Sequence, residues 1–154
     1  MPERDRLSTD FGRVFFRMHR FVDRRMAASG ASLARTKLLM FLDKEGPSRA
    51  SDIAEFFGLA PRTVTEGIDG LERDGLVRRN PDPGDRRAKL ITITEAGRHA
   101  IAETEPLRQR LIGQIYGALT NEERKAFERI LAKLSSALDE QEQGEEPDPM
   151  QSRA

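Results

Sequence analysis

The chain has 154 residues, the length of one compact domain or one subunit of a small oligomer, and its 26 Lys and Arg are matched by 26 Asp and Glu, so bulk positive charge is not what would hold a nucleic acid. No cysteine and only two histidines exclude disulfides, thiolate or His-cluster metal sites and thiol redox sensing. No stretch nears the roughly 18 to 20 apolar residues of a membrane span, and MPERDRLSTDF carries charges where a signal peptide needs an apolar run, so a soluble, cytoplasmic protein with no membrane partner is expected.

From Ser8 to about Ala28, Phe11, Val14, Phe15, Met18, Phe21, Val22 and Met26 recur at steps of three and four, the period of a helix with one apolar face. The opposite face is arginine-rich, with Arg13, Arg17, Arg20 and Arg24 alternating with Asp10 and Asp23, a pattern suited to surface or intersubunit ion pairs. Ser29-Gly30 ends this helix, and Ser32 caps a second one through about Lys44 that buries Leu38, Leu39, Phe41 and Leu42 before Gly46-Pro47.

Ser51 is the natural N-cap of a short third helix with Ile53, Ala54 and Phe57 inward and Gly58 at its end. After a turn, Pro61 occupies a first helical position, and Val64, Ile68 and Leu71 form the buried stripe of a fourth helix closing at Gly75. Helix, turn, helix in this order makes the fourth a candidate recognition helix.

Leu76–Arg79 and Lys89–Thr94 then read as two strands of a hairpin around a long tip stiffened by NPDPGD. Thr94 caps a further helix through Ile101, Leu107, Leu111 and Ile115, broken or bent at Pro106. Thr120 with Glu123 is a capping box for a last helix bearing Phe127, Ile130, Leu131, Leu134 and Leu138. The acidic residues 141–154 offer little to bury and are expected to be disordered.

Charge is unevenly spread. Residues 1–45 hold 10 basic and 6 acidic side chains, residues 46–98 hold 9 of each, and residues 99–154 hold 7 and 11. Within the middle segment Arg78, Arg79, Arg86, Arg87, Lys89 and Arg98 gather around the hairpin.

A major groove admits one helix, and the first turns of a second helix-turn-helix helix meet base edges there. The outward set is Pro61, Arg62, Thr63, Thr65 and Glu66: Arg62 can pair with a guanine, the threonines with bases, phosphates or a thymine methyl, and Glu66 with a cytosine amine. Ser51, Arg78, Arg86, Arg87 and Lys89 join them as DNA-facing residues. Arginines at a hairpin tip suit a narrow A·T-rich minor groove, where an adjacent Asp can hold a guanidinium in one orientation. Of Arg78 and Arg79, one is expected to face phosphate and the other solvent or an acidic partner. His19 and Tyr116 read as packing residues.

The run LERDGLVRRNPDPGDRRAKLITITEAG resembles the wing signature of the MarR family of winged helix-turn-helix transcriptional regulators, and the likeness extends over roughly Ser32 to Gly97. It implies a mainly α fold with a small antiparallel wing. Residues 1–30 and 99–140 would be dimerisation helices around a DNA-binding domain at 31–98. It also implies that Arg87 enters the minor groove steadied by Asp85, and that Leu71, Gly75, Leu76, Thr94 and Gly97 are structural. Departures from the family pattern are Ala60 at the recognition-helix N-cap, Glu66 in mid-helix, and Gly67 and Gly70 nearby.

The apolar residues Phe11, Phe15, Leu119, Phe127, Ile130, Leu134 and Leu138 exceed what one small winged domain needs, so self-association is expected to cover them. The function implied is a homodimeric regulator, most often a repressor, on a pseudo-palindromic site in double-stranded DNA. A small aromatic or phenolic ligand, bound between the dimerisation helices and the reading domain, would release it. The alternative is a winged module that binds protein and does not read DNA, favoured by the neutral middle segment and Glu66. No nucleophile elbow, phosphate loop or acid/base pair suggests an enzyme, and no cofactor or metal is expected.

Overall fold

The structure, a computed structural model, describes residues 2–144. Among these, six helices and one hairpin follow in the order α1 (Glu3–Ala28), α2 (Leu33–Glu45), α3 (Ala50–Phe57), α4 (Pro61–Arg73), β1 (Val77–Asp82), β2 (Asp85–Ile93), α5 (Glu95–Tyr116) and α6 (Asn121–Gly144). The mainly α class with a two-stranded antiparallel wing is the one the sequence predicts. Two compact units divide between Gly113 and Gln114.

In the first unit, α1 begins five residues earlier than Ser8, because Pro2 leads directly into a turn whose Glu3 and Asp5 complement the helix dipole. The Ser32 hydroxyl accepts the Arg35 N–H at 3.3 Å and so caps α2, and Gly46 at φ 81° ends it in a conformation that disfavours any Cβ. Of the inward set predicted for α2, Leu39 and Leu42 are buried, while Leu38 and Phe41 are half-buried against the core.

Ser51 is not the cap of α3. The helix starts two residues before the cap reading allowed: Arg49 holds the N-cap position with extended backbone and no side-chain cap, and the Ile53 N–H already donates to the Arg49 carbonyl at 3.2 Å. The cause lies outside the helix, since Ser48 exchanges both backbone hydrogen bonds with Ile91 of β2, at 3.1 and 2.8 Å. That exchange ends the preceding turn early, and Ser51 is left exposed on the helix surface.

Pro61 does open α4, after an Ala60 that offers no capping oxygen. Val64, Ile68 and Leu71 are buried and join Leu39, Leu42, Ile53, Ala54, Val77, Ile91 and Ile93 in one core drawn from α2, α3, α4 and both strands. Each Val, Leu or Ile among them contributes roughly 1.5–3 kcal/mol by leaving water. The spacing along α4 therefore decides which face is left for a partner.

The strands run closer to the tip than predicted, leaving only Pro83-Gly84 between them. Pro81 is tolerated because a two-stranded ribbon has outward edges that need no N–H. Pairing is regular from Val77↔Ile93 to Pro81↔Lys89 and then jumps to Asp82↔Asp85. The jump leaves Arg86, Arg87 and Ala88 with no residue opposite them, which is a bulge, the device by which a strand re-aims its side chains.

Thr94 joins wing to helix: its hydroxyl donates to the Gly75 carbonyl at 2.7 Å and accepts the Gly97 N–H at 3.1 Å. A Cβ on Gly97 would lie 2.3 Å from the Leu76 carbonyl oxygen and 2.6 Å from Ile93 Cγ1, so the backbones approach as only glycine permits. α5 continues through Pro106 as one helix, where the sequence reading allowed a break. The Ala102 carbonyl that loses its partner lies on an exposed turn, within reach of water.

In the second unit the capping box forms as predicted. Glu123 accepts the Thr120 N–H at 2.7 Å, and the Thr120 hydroxyl accepts the Glu123 N–H at 3.2 Å. The Tyr116 and Phe127 rings pack with centroids 6.4 Å apart, yet α6 has no buried residue. Gln141–Gly144, assigned from sequence to a disordered tail, continue α6; the remainder of that tail lies outside the described residues.

Candidate nucleic-acid interface

The core stripe of α4 leaves Pro61, Arg62, Thr63, Thr65 and Glu66 on the opposite, exposed face. The Arg62 side chain is 91% exposed and its Nε donates to Glu66 Oε1 at 3.0 Å, one helical turn on. This contact orients the guanidinium while leaving its terminal nitrogens outward. The Thr65 hydroxyl donates to the Pro61 carbonyl at 3.0 Å, so toward a partner it presents its methyl group and oxygen lone pairs.

Past α4 the hairpin projects four exposed cations, Arg78, Arg86, Arg87 and Lys89. Arg79 is the one of its pair with acidic partners: it is ion-paired with Asp69, its guanidinium donates to Glu72 at 2.9 Å, and its backbone N–H donates to the same carboxylate at 3.1 Å. These contacts tie the base of β1 to α4. At the bulge, Asp85 Oδ1 accepts the Arg87 backbone N–H at 3.0 Å, satisfying a donor that has no strand opposite it. Its support therefore runs through the backbone of Arg87.

Sequence reasoning missed a second carboxylate in the wing. Asp82, only 12% exposed, accepts the Gly84 N–H on one oxygen at 2.9 Å and the Arg49 guanidinium on the other, from Nε at 2.8 Å and a terminal nitrogen at 2.5 Å. The Gly84 amide, then Arg49, hold the Asp82 carboxyl below the ordinary carboxylate range. Arg49 and Asp82 are far apart in sequence, and nothing local signals the pairing.

A cavity of about 420 Å³ lies within the first unit between α1, α2 and the helix-turn-helix. Four phenylalanines, Phe15, Phe16, Phe56 and Phe57, contribute to its walls, and the last two cluster with Phe41 at centroid distances of 4.7 to 5.6 Å. Lys37 and His19 are its ionisable lining groups, and Thr63, Val64 and Gly67 of α4 also border it. Burial, and then the charge of Arg108, push the Lys37 ammonium below its ordinary pKa.

The apolar residues assigned to self-association stay largely in water. Phe11 and Phe15 of α1 are 50% and 47% exposed, as are Ile130, Leu134 and Leu138 of α6 at 52 to 61%; Leu119 and Phe127 are half-buried. No described helix is long and apolar enough to cross a membrane.

Residues 32–89 match the model of the MarR family. Among known proteins, the chain is similar to the uncharacterised HTH-type transcriptional regulator YwhA of Bacillus subtilis, at 35% identity over 64% of this chain and 70% of that one. It is also similar to the HTH-type transcriptional repressor MdtR of the same organism, at 31% identity over 76% of each. A solved structure on the regulation of DNA binding of Bordetella bronchiseptica BpsR by 6-hydroxynicotinic acid superposes with a TM-score of 0.73, at 25% identity over 84% of this chain and 98% of that one.

Proposed function

Since the chain belongs to the MarR family of transcriptional regulators, we propose that it is a sequence-reading repressor that binds double-stranded DNA as a homodimer. The observation that carries this reading is the pairing of an exposed polar face on α4 with an arginine-bearing bulge at the tip of the neighbouring hairpin. The α4 face fits a major groove and the bulge an adjacent minor groove. Arg62, oriented by Glu66, and the two threonines read base edges. Arg87, with Arg86 beside it, enters the narrow groove, while Arg78 and Lys89 meet phosphates and Ser51 flanks them on α3.

The apolar faces left open on α1 and α6 support self-association, and a two-fold pair would set two recognition helices about 34 Å apart on a pseudo-palindrome. The aromatic cavity supports release by a small aromatic ligand. Because Thr63 and Gly67 border it, a ligand filling it touches α4 directly, and it need only favour a helix position that no longer fits the DNA.

Titration of a selected duplex by parent, Arg62→Ala and Arg87→Ala proteins tests the assignment. Arg62→Ala should cost about 1–3 kcal/mol and blur one base position, while Arg87→Ala should weaken binding at all sites and reduce the salt slope. Affinities equal to the parent's for both variants would remove the helix and wing assignments together and leave the protein-binding alternative.

A further inference from the structure

The hairpin can deliver its arginines to a groove only if its tip is held at one angle to α4, and a two-stranded ribbon is marginal on its own. Its base is secured by Arg79 on α4 and by the Ser48–Ile91 exchange. Beyond Pro81 the ladder breaks, and the three residues of the bulge have no cross-strand partner. The last paired position before the turn is Asp82. From there one carboxylate oxygen fixes the turn through Gly84, and the other receives two guanidinium donors from Arg49, at the entry of α3.

We infer that Arg49 is a positioning residue for DNA recognition: through Asp82 it fixes the angle of the wing tip and so aims Arg86 and Arg87, without itself touching DNA. Three features support it. The contact lies where the ladder loses its own hydrogen bonds. Asp82 is largely shielded although both its neighbours in sequence are exposed, so the carboxylate is turned into the fold. The Arg49 donors Nε and one terminal nitrogen converge on a single oxygen, which restrains a planar guanidinium more tightly than an ammonium can be restrained. α3 is thereby the arm to which the wing tip is fastened, a role no motif assigns to it.

The inference rests on the DNA-binding reading, and the test separates the two. Parent, Arg49→Ala, Arg49→Lys, Asp82→Ala and the double variant Arg49→Ala/Asp82→Ala are compared in the full chain by two readouts. One is the backbone order of Gly84, Asp85 and Arg87 from ¹⁵N relaxation without DNA. The other is the ratio of affinities for a selected duplex with A·T-rich flanks and the same duplex with G·C-rich flanks.

Each single alanine variant should loosen the tip amides and lose the flank preference, and the double variant should be no worse than either single. Arg49→Lys should restore the preference only in part, and the central base preference should survive in all. Merely structural damage would lower the melting temperature and total affinity without erasing the flank ratio selectively. Tip amides as ordered in Arg49→Ala and Asp82→Ala as in the parent, or an intact flank ratio, would overturn the inference. So would weaker binding on Arg49→Ala with tighter binding on Asp82→Ala, the pattern of a direct phosphate contact. If the parent binds no duplex while Arg49→Ala still frees the tip, the DNA reading fails and the fastening stands.

Discussion

Gly97 shows how much one absent side chain can settle. The Leu76 carbonyl and Ile93 occupy the space a Cβ would need, while Thr94 binds both Gly75 and the Gly97 amide, so strand end, turn and helix start meet around one vacancy. Gly97→Ala must push backbone apart, since neither obstacle is the free end of a flexible side chain. A loss of about 1–3 kcal/mol is expected, as for overpacking in a tight interior, read as a lower urea midpoint at unchanged slope; a midpoint equal to the parent's would show that the joint is looser than described. The family likeness marked Gly97 as structural, but the sequence could not say what it accommodates. Arg62 and Glu66 teach a related lesson: the acidic residue departs from the family pattern, yet its carboxylate holds the arginine that precedes it by one turn.

At the scale of elements, periodicity was enough for α4, whose buried stripe is the predicted one, and spacing was enough for the Thr120 capping box. What periodicity lacked was any signal for contacts between elements. The start of α3 moved because Ser48 pairs with Ile91, and the hairpin tip shortened because a bulge absorbs three residues on β2. The Arg49–Asp82 contact belongs to the same class, and it makes the wing sensitive to acid. The Asp82 carboxyl titrates below its ordinary value of about 3.9. Its contribution is therefore complete above that value and is lost as pH falls through the lower folded-state pKa. The gap in melting temperature between parent and Asp82→Asn should stay constant from pH 7 to about 4 and close below that. A gap already closing at pH 6 would mean that Asp82 is not held in its charged form by Gly84 and Arg49.

For the whole molecule, the net charge of zero hides an uneven distribution: the basic excess lies in residues 1–45 and the acidic excess past residue 98, while within the balanced middle segment cations gather on the wing. Composition alone would have set nucleic acid aside, and only the placement of Arg78, Arg86, Arg87 and Lys89 on one exposed hairpin restores it. The apolar faces of α1 and α6 were legible as a surplus over one domain's needs. The cavity was not, because its lining is drawn from four stretches of chain that no local spacing relates to one another.

The most direct measurement is selection of duplexes from a random DNA pool by the purified protein, followed by titration of the winning sequence at two salt concentrations. A pseudo-palindromic winner with affinity falling steeply as salt rises is the expected result, since several phosphates are neutralised at once. A pool that stays random at low salt as well as high would contradict the DNA-reading role and direct attention to a protein partner.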